Sequence, residues 1–137
     1  MSDTFQVALV TPNAVIAEID TTELVATGEL GEFGVLVGHT EYLTILRPGE
    51  LRLHQERGVA RYAVGRGFAE VGPNKVTILA DTIEEADALD APAIEQELEQ
   101  DVERLKEHMP GDDEYPKLVD RIERNRARLA VARNSGT

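Results

Sequence analysis

The sequence contains no cysteine and no tryptophan, and only six of its 137 residues are aromatic. Without thiols the chain has no disulfide framework, no thiolate zinc site and no cysteine nucleophile. Its only serines, Ser2 and Ser135, stand near the two ends of the sequence, which excludes a serine hydrolase built on an ordered triad. Few aromatic rings are available to stack on a sugar. Enzymatic classes are therefore disfavoured, although the many carboxylates leave a small carboxylate enzyme open as an alternative.

Basic residues are also scarce, with 14 Lys and Arg against 26 Asp and Glu, a net charge of −12. This balance argues against general affinity for nucleic acid or anionic lipid. No apolar run approaches the ~18 residues of a membrane span. The N-terminus carries Asp3 and no basic start, unlike a secretory signal. We expect a soluble chain of cytoplasmic type without nucleic-acid partners or membrane insertion.

The two parts of the chain differ in pattern, since nine of the eleven glycines precede residue 87. Short runs there alternate apolar and polar residues and are separated by turn formers such as Arg47-Pro48-Gly49, which is typical of a sandwich or barrel. The alternating apolar positions are Phe5, Val7, Leu9, Leu51, Leu53, Tyr62, Val64, Val76 and Ile78. Gly65-Arg66-Gly67 is interpreted as a bulge, and glycine-rich residues 28–39 as a turn or bulge, because neither carries a phosphate-loop or dinucleotide motif.

After Asp81 the apolar spacing becomes helical. Asp90 is a candidate N-cap, Pro92 suits a first turn, and Pro110 with Gly111 would end the helix. We therefore predict an antiparallel two-helix hairpin, which divides the chain into residues 1–86 and 87–137. The two apolar stripes are Ile94, Leu98, Val102, Leu105 and Met109, and then Leu118, Ile122, Asn125, Leu129 and Ala132.

The predicted helices carry opposite charge. Residues 87–114 hold eleven acids against two bases, and residues 117–137 hold six bases against two acids. Two interpretations stay open: a solvated face paired with the acidic helix, or a cationic helix that leaves its partner for an acidic surface elsewhere. Four cations follow helical spacing on one face, and we call them the basic stripe: Lys117, Arg121, Arg124 and Arg128. The three histidines fall in different elements, so no metal site is predicted.

One long segment is specific enough to indicate a family. GELGEFGVLVGHTEYLTILRPGEL, residues 28–51, resembles the signature of the epsilon subunit of rotary proton-translocating ATP synthases. VALVTPNAVIAEID near the start, FAEVGPNKVTILADT at 68–82 and the last predicted helix extend the resemblance to nearly the whole chain. It implies an α+β fold, with an N-terminal antiparallel β-sandwich of about ten strands followed by a C-terminal antiparallel two-helix hairpin.

The resemblance also implies a function. Such a protein is a non-catalytic part of the central stalk on the cytoplasmic face of the bacterial inner membrane, where it binds the gamma subunit and rests on the c-ring. It couples proton flow to ATP synthesis. Its hairpin, extended along gamma, contacts the catalytic beta and alpha subunits and blocks ATP hydrolysis, and the basic stripe would then face an acidic loop of beta. No catalytic residue, metal or cofactor is implied.

Family positions at the c-ring carry over to Glu32, Gly38 and His39, as the resemblance implies. The chain departs from the family where Val37 replaces a proline, where Thr40-Glu41-Tyr42 replaces Ala-Pro-Leu, and where Gly65-Arg66-Gly67 replaces Ser-Gly-Gly.

Some members bind ATP through an Ile/Leu-Asp-x-x-Arg-Ala motif. Glu84 and Asp90 match family nucleotide positions, but Ala93 stands where the arginine should be. Because a guanidinium is a strong phosphate partner, we predict weak or absent ATP binding. A nucleotide-sensing regulatory module remains the alternative function.

Overall fold

The computed structural model describes residues 3–134 and shows ten strands followed by two helices. Residues 1–2 and 135–137, which include both serines, lie outside the described part. The elements are β1 Phe5–Thr11, β2 Ala14–Thr21, β3 Glu23–Gly28, β4 Gly31–Leu36, β5 Tyr42–Leu46, β6 Gly49–Gln55, β7 Gly58–Val64, β8 Gly67–Gly72, β9 Lys75–Ala80, β10 Ile83–Glu85, a 3-10 turn Ala86–Ala88, α1 Ala91–Leu105 and α2 Glu114–Asn134.

The strands form two layers, which are joined at one edge where β3 pairs with β5. One layer has the order β10-β7-β6-β3-β4 and the other β5-β8-β9-β1-β2, and a single register pair, Gly28 with Leu46, connects β3 to β5. The predicted sandwich and hairpin are confirmed. One pairing differs from the all-antiparallel expectation, because β1 lies parallel to β9. The chain crosses between these strands through the rest of the sandwich, so both can run the same way.

The alternating apolar residues of the first part point between the layers and form the main core. Val7, Leu9, Leu53, Val76 and Ile78 are completely buried there. Period-two alternation places one side chain of each successive pair on the inner face. Burial of this face stabilises the sandwich.

The segment Gly65-Arg66 is the connection between β7 and β8, so its interpretation as a bulge is wrong. The amide of Gly65 donates to the Thr82 carbonyl at 2.9 Å, and the Asp81 amide donates to the Arg66 carbonyl at 3.0 Å. These bonds tie the connection to the segment between β9 and β10. They fix the backbone of Arg66 at the end of the sandwich where these two connections lie.

Helix α1 begins as predicted, because the Asp90 carboxylate accepts the Ala93 amide at 3.2 Å. It ends at Leu105 rather than at Pro110. The amides of residues 106, 107 and 108 donate to carbonyls three residues back, which is the tighter bonding of a helix end. Met109 is therefore off the predicted stripe and 71% exposed.

A carboxylate closes the turn between the helices. Asp112 accepts the Met109 amide at 2.9 Å and lies 3.3 Å from Nδ1 of His108. The Met109 hydrogen bond, helped by His108, holds the pKa of Asp112 below its ordinary value. The turn thus has its own polar cap.

Helix α2 packs against α1 and against the outer side of β6 and β7. The second apolar stripe is buried as predicted except at its end, where Val131 rather than Ala132 is enclosed. Val131 contacts Ala63 of β7 and Ala86 of the 3-10 turn in a second, smaller core. The hairpin is therefore folded onto one layer of the sandwich.

Neither described helix combines the length and apolar character needed to cross a bilayer.

Candidate functional site

The basic stripe is divided between paired and available cations. Arg121 lies 3.4 Å from both Glu97 and Asp101 of α1. The acidic and basic helices therefore pair with each other at this level. Asp101 is only 1% exposed, and one of its oxygens, Oδ2, has no hydrogen-bond partner among the described residues.

Arg128 joins the hairpin to the sandwich. Its Nε and Nη2 donate to the two carboxylate oxygens of Glu84 at 2.8 and 3.0 Å, and its Nη1 donates to Asn125 Oδ1 at 2.8 Å. Such a two-bond fork is stronger than a single contact between the same groups. Asn125 is 1% exposed, and its Nδ2 has no partner within residues 3–134.

The other two members of the stripe are available to a partner. Lys117 is exposed and lies 3.8 Å from Glu114 of its own helix. Arg124 forms no ion pair with any residue of the described range. The folded hairpin thus presents part of the stripe and uses the rest internally.

The predicted nucleotide positions serve other contacts. Glu84, in β10, receives the Arg128 fork, and Asp90 caps α1. Ala93 supplies only its amide to that cap. The structure does not assemble a phosphate-binding set around these three residues, and weak ATP binding stays a prediction.

The predicted c-ring residues occupy two places. Gly38 and His39 lie in the loop after β4, whereas Glu32 lies near the start of β4, so the strand separates them. Gly38 has φ of +81°, a conformation that suits glycine. Glu32 is exposed, with Oε2 3.5 Å from Arg52.

His39 fastens its loop to the sandwich. Its Nδ1 lies 2.8 Å from the Leu36 carbonyl oxygen and its Nε2 lies 2.6 Å from that of Gly72. The ring also meets Phe5 edge-on at 5.1 Å between centroids. Carbonyl oxygens only accept, and a neutral imidazole carries one N–H, so at least one of the two contacts is a hydrogen bond donated by the ring. This bond fixes the loop that a partner would meet.

Sequence reasoning missed an apolar surface on the layer that the hairpin leaves uncovered. Strand register places Ile45 beside Phe68, Phe68 beside Leu79, Leu79 beside Val10, and Val10 beside Val15. These five residues, here called the apolar row, cross the outer face of the layer. Phe68 is 47% exposed. The sequence does carry a signal for this surface. Consecutive apolar residues in a strand, such as Ile45 and Leu46 of β5, place apolar side chains on both faces of the layer.

A cleft of about 740 Å³ adjoins one end of the apolar row. Ile45 and Phe68 supply its apolar side, and Arg47, Arg66 and Asp81 supply charge. An exposed apolar surface with a polar margin is typical of a protein interface.

Fold and surfaces define the class as a β-sandwich bearing a folded, charge-paired helical hairpin. A family model described as the β-sandwich domain of the ATP synthase delta/epsilon chain matches residues 4–86. The chain is 38% identical over 136 residues to the ATP synthase epsilon chain of Geotalea daltonii, covering 99% of both sequences. It is 37% identical to that of Geobacter sulfurreducens, covering 96% of both. The chain belongs to the ATP synthase epsilon chain family.

Solved structures show the same fold. A chain in the cryo-EM structure of the Euglena gracilis mitochondrial ATP synthase matches with a TM-score of 0.81 at 22% identity, over 95% of this chain and 82% of that one. A chain from the central stalk and c-ring structure of the Tetrahymena thermophila enzyme matches with a TM-score of 0.55 at 15% identity, over 96% of each.

Proposed function

We propose that this chain is a non-catalytic subunit of the central stalk of a bacterial ATP synthase. In this role it couples proton translocation through the c-ring to ATP synthesis, at the cytoplasmic face of the inner membrane. The observation that carries the proposal is the 38% identity to an epsilon chain over 99% of both sequences, which includes the hairpin as well as the sandwich. Residues 1–86 would bind the rotor, and residues 87–137 would regulate.

The gamma subunit is the proposed occupant of the apolar row. The row lies on the layer opposite to the hairpin, so gamma can dock while the hairpin stays folded. Strand β5 also runs directly from the Gly38-His39 loop into the row at Ile45. One protein standing on the c-ring beside gamma would meet both partners through adjoining surfaces.

Docking on the apolar row predicts a specific loss of binding. Phe68→Glu would place a charge in the row between Ile45 and Leu79 and is expected to weaken co-purification with gamma at least tenfold, because buried unpaired charge is strongly unfavourable. Val59→Glu is the matched control, since Val59 is a comparably exposed apolar residue of β7 in the other layer. Equal retention of both variants on gamma would refute this placement.

The c-ring is proposed to meet Glu32, Gly38 and His39. His39 acts as a positioning residue, because its ring holds the loop through the carbonyls of Leu36 and Gly72. Glu32 offers an exposed carboxylate at the other end of β4. The Glu32 carboxylate suits the polar loops of a membrane ring, and His39 would fix the loop that meets them.

Inhibition of ATP hydrolysis is assigned to an extended hairpin, whose helices have left the sandwich and contact the alpha and beta subunits. A single exposed ion pair is worth ~0–1 kcal/mol, so several cations must act together to resist rotation. Lys117 and Arg124 are already available, and extension would free Arg121 and Arg128 from Asp101 and Glu84. All four cations of the basic stripe would then be available to the partner.

The test is ATP hydrolysis by an epsilon-free catalytic head supplied with variant chains. Lys117→Gln with Arg124→Gln leaves every ion pair between α2 and the rest of the chain intact, and is expected to raise the concentration for half inhibition about tenfold. Arg133→Gln is the matched control, because Arg133 pairs with Glu95 and lies outside the stripe.

The unaltered full-length chain should inhibit ATP hydrolysis, and each variant should still bind the catalytic head. Binding of the full chain without inhibition would remove the regulatory role and leave a coupling subunit. Failure to bind at all would overturn the proposed function itself.

A further inference from the structure

Ion pairs of opposite polarity join α2 to the sandwich at two points. Arg66, in the β7–β8 connection, places Nη2 3.0 Å from Asp120 and 3.1 Å from Glu123. At the second point the direction of charge is reversed, since Glu84 of β10 receives the two-bond fork of Arg128. In the described range, α1 makes no ion pair with the sandwich.

We propose that these two groups form a charge clamp that holds the hairpin folded without a bound nucleotide. The inference deepens the proposed function, since its regulatory meaning rests on that function, but the clamp itself is a property of the isolated chain. Ala93 in place of the motif arginine predicts weak or absent ATP binding, so other groups would have to hold the hairpin folded. Three internal ion pairs at two points hold the hairpin to the sandwich, beside the apolar contact of Val131 with Ala63 and Ala86.

The charge pattern disfavours a shift of α2 by one turn toward its N-terminal end. Such a displacement would bring Arg124, four residues after Asp120, opposite Arg66. It would also move Arg128 away from Glu84. Like charges would then meet at the first point and a carboxylate would be left unpaired at the second, which is unfavourable at both.

The clamp is also built to release. Arg66 and Asp120 are more than half exposed, so their attraction is modest and falls with added salt. Arg128 is more enclosed and is oriented by Asn125, which makes this half the stronger one. Because Arg128 belongs to the basic stripe, the same guanidinium is shared between the folded state and an acidic partner.

The absence of native cysteine provides a direct measurement on the full-length chain. A Val131→Cys thiol would be enclosed against Ala63 and Ala86, and reacts with a soluble disulfide reagent only when α2 lifts. A Val76→Cys thiol, in the completely buried core between the layers, reports opening of the sandwich. The ratio of the two labelling rates separates undocking from unfolding.

The clamp predicts selective acceleration of labelling in the Val131→Cys background. Arg66→Gln is expected to raise the rate about two- to fivefold, and Arg128→Gln about tenfold. Arg133→Gln, which breaks a pair within the hairpin, should change it less than about twofold. Reversing the charges with Glu84→Arg and Arg128→Glu together should restore much of the protection, and the Val76→Cys rate should stay constant.

Three results would overturn the clamp: unchanged labelling in both clamp variants, equal acceleration by Arg133→Gln, or a parallel rise in the Val76→Cys rate. These results need no other subunit, so they are independent of whether the chain binds an ATP synthase. In the hydrolysis assay, Arg66→Gln keeps the whole basic stripe and should inhibit at about two- to fivefold lower concentration. Weaker inhibition by that variant would contradict a clamp that opposes extension.

Discussion

Gly67 shows how closely single residues are constrained where β8 begins. A Cβ at this position would overlap the carbonyl oxygen of Leu79 and lie 2.7 Å from the Cα of Ala80, both in the neighbouring β9. These are backbone atoms and cannot turn aside as a flexible side chain would. The glycine is thus required by the packing of two strands next to Arg66.

We predict that Gly67→Ala lowers the free energy of unfolding by about 2–3 kcal/mol, the usual cost of overpacking. Gly111→Ala is the control, because no atom lies within 4 Å of the added Cβ, and it should change stability by less than about 0.5 kcal/mol. Urea unfolding followed by circular dichroism measures both. Equal midpoints for the two variants would show that the strands can separate at no cost.

Helix α2 contains a polar residue at the centre of its buried stripe. Asn125 accepts from Arg128 but leaves its own Nδ2 unpaired, and a buried donor without a partner is unfavourable by about 1–3 kcal/mol. A leucine would continue the series Leu118, Ile122 and Leu129. The hairpin is therefore held less tightly than a fully apolar stripe would hold it.

Asn125→Leu is expected to stabilise the folded hairpin by about 1 kcal/mol, because it removes the orphan donor and adds apolar burial while Glu84 retains Arg128. Hydrogen exchange of the α2 amides provides the measurement, and the exposed Arg126→Leu change is the control on the same helix. Faster exchange in Asn125→Leu would mean that the Asn125 to Arg128 bond outweighs the unpaired amide.

The elements themselves were largely predictable from local pattern. Alternating residues such as Val7 and Leu9 identified the buried strands, and Asp90 identified the start of α1, because these signals depend on near neighbours in sequence. The parallel pairing of β1 with β9 and the contact of Arg66 with α2 depend on closure over 54 residues or more. No local signal encodes such closure.

At the scale of the whole molecule, the two layers of the sandwich have different outer faces. One carries the hairpin over Ala63, and the other exposes the apolar row around Phe68. A partner on the row need not displace the helices, and the helices can leave without disturbing the row. In the proposed function, this separation would let the subunit stay attached to the rotor while its hairpin regulates reversibly.

The functional surfaces, which are the basic stripe and the apolar row, were less predictable than the fold. Spacing placed the basic stripe on one face of α2, but only the structure divides it into the engaged Arg121 and Arg128 and the available Lys117 and Arg124. The outward side chains of the apolar row were not noticed, since alternation alone defines the inner face. Side-chain partners across different elements are set by tertiary packing.

Whether this chain couples proton flow to catalysis is measured by ATP synthesis driven by a proton gradient. Membrane vesicles carrying an epsilon-depleted ATP synthase from the source organism would be supplied with the full-length chain, with Phe68→Glu or with Val59→Glu. We expect the full chain and Val59→Glu to restore synthesis to at least about half of the undepleted rate, whereas Phe68→Glu, unable to dock, should not. If the full-length chain binds these vesicles without restoring synthesis, it is not a coupling subunit.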